Sequence, residues 1–150
     1  MITIRHATDA DVEQVFELIS AIADHHGQSH FVLTDTVELR KAGFGDHPKY
    51  GVLLAEYRGN VAGFVSYTIA YSIWLGRQYM HIDDVFVNSK FRGKHIGESL
   101  MLEARKFSES LGISRIKWEV QKDNHRAKSF CERLGAEYYE KGVFAWDWSE

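Results

Sequence analysis

The sequence predicts a single α/β (α+β) domain over residues 1–150, a mixed sheet with helices packed on it. Segments with apolar residues at helical spacing take turns with segments that alternate apolar and polar. A tight-turn tripeptide, Arg58-Gly59-Asn60, separates two of the alternating segments as in a hairpin. At 150 residues with 45% hydrophobic and 26% charged side chains, the chain has the composition of one ordinary globular core.

Residues 2 to 6 read as a strand. Thr8-Asp9-Ala10-Asp11 opens a helix, with an acid three residues after a Thr cap. Val12, Val15, Phe16, Ile19, Ile22 and Ala23 give that helix one apolar stripe. The polar run Asp24 to His30 interrupts it, and a second helix spans the region from Thr34 to Gly43-Phe44-Gly45. Tyr50–Tyr57 and Val61–Tyr71 are the strands of the hairpin, and Tyr79–Val87 is a third. A polar, basic loop, Asn88 to Gly97, leads into a helix carrying Ile96, Leu100, Met101, Ala104, Phe107 and Leu111, closed by Gly112. Ile116, Trp118 and Val120 alternate as a strand, with Trp118 in the core. Ala127, Phe130, Cys131 and Leu134 mark a last helix before Gly135, and Val143–Trp148 reads as a final strand.

The chain holds one proline and one cysteine, which argues against disorder and against a disulfide framework. The formal charge of −3 argues against a basic nucleic-acid binder. Met1 to His6 alternates polar and apolar residues, unlike a secretory leader, and no stretch has the apolar length of a membrane span. A cytoplasmic protein is the expectation.

The chemistry concentrates around the basic loop. Arg92-Gly93-Lys94-His95-Ile96-Gly97 lies between a strand and a helix, where backbone N–H groups and the positive end of the helix dipole converge. Glycine permits close approach of an anion, and Arg92 and Lys94 add charge, so the loop reads as a pyrophosphate cradle. Just before it, Asp83 and Asp84 are adjacent in a strand and point to opposite faces unless a bulge intervenes. Paired carboxylates beside a cleft attract a cationic substrate; the plainer reading is one surface acid and one paired with a basic neighbour. Asn124 opens a helix and could be no more than its cap. Cys131 lies on an apolar stripe and reads first as a buried, inert thiol. Asp24-His25-His26-Gly27-Gln28-Ser29-His30 has metal-binding residue types without a fixed ligand spacing, and no metal is expected.

Asp84-Val85-Phe86-Val87 followed by Phe91 to Met101 resembles the first cofactor motif of the GNAT acetyltransferases, and Asn124 with Phe130, Arg133, Leu134, Gly135 and Ala136 resembles their second. Leu33-Thr34, Gly43-Phe44-Gly45-Asp46-His47-Pro48 and Trp74-Leu75-Gly76 leading into Ile82-Asp83-Asp84 are similar to the diamine (spermidine/spermine) and thialysine branch. The resemblance covers the whole chain and implies a mostly antiparallel central sheet flanked by helices. It implies acetyl-CoA as cosubstrate and a primary amine of a small molecule as acceptor, attacked directly without a covalent enzyme intermediate. The backbone of Val85, Phe86 and Val87 would pair with the pantetheine amides, Arg92 to Gly97 would hold the pyrophosphate, and Asn124 and Phe130 would line the pantetheine arm.

By the same resemblance Asp83 and Asp84 face the substrate ammonium and help take its proton. Trp74 and Tyr79 could box an amine by cation–π contact, and Asp24 is the nearest acid to the position that holds the far end of a polyamine. Members of the branch are commonly homodimers, and the Trp146-Trp148 segment could pack there. The sequence departs from the pattern twice. His95 replaces a loop glycine, and Cys131 replaces the tyrosine that serves as general acid; a thiol is shorter and could donate a proton only from closer in or through water. Two other functions fit less well: a protein lysine or N-terminal acetyltransferase, and an acyl-CoA-binding sensor without turnover.

Overall fold

A computed structural model describes residues 1–148 of the chain. They form two compact units, Met1–Trp118 and a second beginning at Glu119.

The first unit is built on a sheet of five strands in the order β1-β2-β3-β4-β5, with β1 Ile2–His6, β2 Gly51–Tyr57, β3 Asn60–Ser72, β4 Arg77–Val87 and β5 Ile116–Trp118. The first four pair antiparallel and β5 joins β4 in parallel, so the sheet is mixed and mostly antiparallel, as expected. The β2–β3 turn puts Arg58 (φ 52°) and Gly59 (φ 80°) in the left-handed region, the requirement of a tight hairpin whose twist matches its strands.

Thr8 caps a 3-10 turn, Asp9–Asp11, that leads into helix α1, Val12–His25. Asp11 accepts the Thr8 amide (2.7 Å) and both arms of the Arg5 guanidinium (2.8 and 2.9 Å), tying the helix entry to β1. Arg5 also donates to Glu56 on β2 at 3.2 Å. Helix α2, Thr36–Gly43, is capped by Asp35, which accepts the Glu38 amide at 2.8 Å. On the face that α1 covers, Val15 and Leu18 pack with Val52, Leu54 and Phe64, and Phe86 closes the cluster. On the opposite face Tyr67 meets Phe107 of α3, Ile96–Ser110, whose Ile96, Leu100 and Ala104 are buried.

In the second unit α4 spans His125–Arg133 and Gly135 (φ 93°) follows it. Lys122 pairs with Glu140 at 3.0 Å, and Lys128 stands 4.2 Å from the Tyr138 ring centroid.

Three expectations are corrected. Residues 143–148 form no strand: Val143, Phe144, Trp146 and Trp148 are exposed, and the rings of Trp146 and Trp148 stand 6.4 Å apart. Alternation says which face a strand would bury, but a strand also needs another strand's backbone groups. The strand at Ile116 stops at Trp118 without Val120, and Trp118, at its end, is half-buried rather than core. Among the described residues no helix is long and apolar enough to cross a membrane.

Candidate functional site

The site grows from an irregularity in β4. Val85 stands opposite Val65 and Asp84 opposite Ser66, but Ile82 stands opposite Tyr67, so Asp83 is the extra residue of a β-bulge. Below the bulge Met80 and Ile82 are buried on the face of Tyr67, which places His81 on the face covered by α1. Above it Asp84 shares the side of Phe86, again the α1 face. The bulge thus resets the alternation and brings His81 and Asp84 to one face. Asp83 turns the same way, because its Oδ1 lies 3.2 Å from Nδ1 of His81.

Their environments differ. Asp83 is 43% exposed at its side chain and His81 28%. Asp84 is half-buried, and its carboxyl sits above the ordinary aspartate value, first because burial penalises the charged form and then because Asp83 is a like charge. His26, immediately after α1, acts in the opposite direction on Asp84. The two carboxylates and His81 therefore form one cluster that His26 influences electrostatically, and of the two acids Asp84 is the one whose raised proton affinity suits a general base.

Next to the cluster the sheet opens. β5 pairs with β4 only over Met80, His81 and Ile82. Beyond the bulge, Val85, Phe86 and Val87 have β3 on one side and no described strand on the other. Such an edge offers backbone N–H and C=O groups to an extended ligand carrying amides.

The chain leaves β4 through Asn88, whose amide donates to the Ala62 carbonyl (2.8 Å) and whose side chain accepts the Lys90 amide (3.0 Å). Gly93 (φ 80°) and His95 (φ 61°, ψ 25°) are both left-handed. Histidine tolerates this region better than most residues, so His95 adopts the backbone shape of the glycine it replaces. Its side chain is 84% exposed, with Nδ1 3.7 Å from the Glu98 carboxylate. Its carbonyl accepts both the amide (3.1 Å) and the hydroxyl (3.0 Å) of Ser99, fixing the first turn of the 15-residue helix. Ile96 anchors that turn in the core and Gly97 follows it. Arg92 is exposed, and Lys94 lies 5.1 Å from the centroid of Tyr57, which Arg58 approaches to 5.2 Å. The left-handed turn, the cations and the helix start fit a pyrophosphate group.

Other predicted residues lie elsewhere. Trp74 is 98% exposed in the turn beyond the Ser72–Arg77 pair, and Tyr79, on the strand, has Lys117 over its ring at 5.8 Å. Asp24 is exposed and accepts the Ser29 hydroxyl at 3.4 Å. In the second unit Asn124 accepts the Ala127 amide at 3.1 Å, a helix cap in fact. Phe130 is half-buried. So is Cys131, against the expectation of a buried thiol: α4 has no fully buried residue. Among the described residues no group of three metal-binding side chains gathers.

His81 was not singled out by sequence reasoning, and His26 entered it only as part of the Asp24–His30 run. A signal was present: the apolar alternation of β4 runs through Met80 and Ile82 and then through Val85 and Val87, and the change of parity marks the bulge.

Known proteins resemble the chain in sequence and in fold. The model of the Acetyltransferase (GNAT) family matches residues 13–136. A thialysine N-epsilon-acetyltransferase of Bos taurus is 29% identical over 144 residues, covering 91% of this chain and 84% of its own. An L-ornithine N5-acetyltransferase of Arabidopsis thaliana is 33% identical over 81 residues, 54% of this chain and 36% of its own. The crystal structure of an aminoglycoside acetyltransferase from an uncultured soil metagenomic sample superposes with a TM-score of 0.82 at 16% identity, covering 99% of this chain and 97% of that one, a likeness of fold.

Proposed function

The chain belongs to the GNAT family of N-acetyltransferases, and from that premise we propose that it transfers an acetyl group from acetyl-CoA to a primary amine of a small molecule. The observation that carries the reading is the β4 bulge, which gathers Asp83, Asp84 and His81 on one face where the sheet opens. A cationic amine is attracted by the two carboxylates, and Asp84 takes its proton directly or through water, leaving the nitrogen lone pair free to attack.

Acetyl-CoA supplies the activated acyl group. In the first unit the open backbone of Val85, Phe86 and Val87 would hold its pantetheine amides, and Arg92, Gly93, Lys94, His95, Ile96 and Gly97 its pyrophosphate. In the second unit Asn124 and Phe130 are proposed contacts on resemblance alone. Asn124 already caps α4, and the amide group of its side chain keeps a donor for a ligand. Cys131 in the tyrosine position provides no strong acid, and a thiolate leaving group tolerates that.

The relatives named for thialysine and ornithine act, by those names, on amines of amino acids. We infer the same substrate class here, with diamines and polyamines beside it. A homodimer in the cytosol completes the proposal; the exposed Trp146 and Trp148 are its supporting feature. A monomeric mass by light scattering removes the dimer, and cell fractionation tests the location.

Purified protein mixed with acetyl-CoA and a panel of thialysine, ornithine, lysine, putrescine, spermidine, spermine and short peptides should release thiol with at least one small amine and yield its acetylated product by mass. Turnover of peptides alone would make this a protein acetyltransferase. Binding of acetyl-CoA without turnover would make it a sensor.

A further inference from the structure

Within the acid cluster, His81 has no role in the reading above. It sits on the bulged strand, two residues before Asp83, and its Nδ1 lies 3.2 Å from the Asp83 carboxylate. At this distance an imidazole that is protonated pairs with the carboxylate as an ion. The bulge adds the third member: in a regular strand residues 81 and 83 would also share a face, but residue 84 would then lie on the other one. With the bulge, three side chains of one strand come to one face, and His81 lies against the more exposed of the two acids.

We propose that His81 is a positioning residue that divides the work of the two carboxylates, holding Asp83 as the fixed negative charge for the incoming ammonium and leaving Asp84 to accept its proton. The inference rests on the acetyltransferase reading and extends it to a residue that acts through Asp83. Its logic is electrostatic. Two neighbouring carboxylates that are free to turn compete for one cation and one proton. A donor bound to one of them breaks that equivalence. Asp83 then faces the substrate in a fixed orientation, with its charge balanced on one side by the imidazole. Asp84 is half-buried, has Asp83 and His26 as its electrostatic neighbours, and is raised above the ordinary aspartate value. It is the carboxylate whose proton affinity suits transfer, while the one tied to His81 serves attraction.

The test is a double-mutant cycle read as a split between KM and kcat. In the enzyme assay, His81→Phe should raise KM for the preferred amine roughly tenfold, with kcat and KM for acetyl-CoA within about twofold of wild type. Asp83→Asn should do the same, and H81F/D83N should lose no more than either single variant, because both remove one interaction. His81→Gln, whose amide can donate to Asp83, should recover most of the lost affinity. Additive losses, or an H81F variant with unchanged amine KM, overturn the proposal and leave the acetyltransferase function standing. An H81Q variant as impaired as H81F overturns it as well. A wild-type protein that turns over no amine overturns the function and this proposal together, and is told apart from the other outcomes by the wild-type assay alone.

Discussion

Asp84 stands directly opposite Ser66 across the β3–β4 ladder, on the face covered by α1, while the residue before it has no partner of its own. That offset places Asp84 between two influences of opposite sign. Burial and the Asp83 charge raise its proton affinity, and His26 lowers it. An Asp84 that works as a base must be ionised, so kcat/KM for the amine should fall as pH drops through its raised value. Asp83→Asn removes a like charge and should move this acidic limb to lower pH; His26→Gln removes a cationic neighbour and should move it higher. Shifts of the same sign in both variants would exclude Asp84 as the titrating group.

Asp84→Asn separates activity from stability. Because the folded state raises its pKa, the carboxyl favours folding most when protonated, below the ordinary aspartate value, and that advantage is lost as pH rises through the folded value. The asparagine variant should therefore melt at or above the wild-type temperature at pH 7. Its kcat should drop by about 10²–10³-fold, the range of a lost general base. A variant that is both inactive and clearly less stable would assign Asp84 a structural role.

How much of this was legible follows from what sequence patterns encode. The hairpin around Gly59, the caps at Thr8 and Asn124, and the loop Arg92 to Gly97 are local devices, and all three are found where the residues place them. Opposing faces for Asp83 and Asp84 followed from strict alternation, and the bulge that overrides it depends on the partner strand β3 as much as on β4 itself. His26 was invisible as a site residue because its neighbour Asp84 lies far along the chain. The final strand failed for the same reason: Phe144, Trp146 and Trp148 carry a strand pattern, but no pattern within a segment names the edge it should join.

The loop offers a cleaner experiment. His95 is left-handed at the entry to α3, a conformation that costs a non-glycine residue about 1–2 kcal/mol. His95→Gly relieves this and should raise stability by roughly 0.5–1 kcal/mol, after the extra freedom of glycine in the unfolded chain is deducted. Acetyl-CoA affinity should be kept within about threefold, since the backbone conformation is unchanged. His95→Val, branched at Cβ, should lose both stability and affinity. Calorimetric binding and melting curves on the two variants check the pair.

Gly63 guards the same region from the β3 side. A Cβ there would collide with the backbone carbonyl oxygen of Phe86, on the open part of β4, and no side chain can swing away to relieve it. Gly63→Ala should cost about 2–3 kcal/mol, as overpacking against backbone does. Acetyl-CoA binding should weaken more than the loss of fold explains, because the strand displaced is the one proposed to pair with the pantetheine. An alanine variant with wild-type melting and binding would show that β3 and β4 can part without consequence.

Acid should unfold the protein through Asp11. Its carboxylate takes two hydrogen bonds from Arg5 and one from the Thr8 amide, and the Arg5 pair holds it well below the usual aspartate value. A group with a depressed folded pKa lends stability that is present in full above its unfolded value, near 4, and is lost as pH falls below that. Asp11→Asn should lower stability at pH 7 by about 1–2 kcal/mol, the lower end for bonds to charged groups because the Arg5 side chain is 36% exposed. The same variant should show a flatter decline between pH 4 and strongly acid solution, measured by urea denaturation at each pH. A decline as steep as the wild type's would place the acid sensitivity at other carboxylates and reduce the Arg5–Asp11 contact to a surface pair.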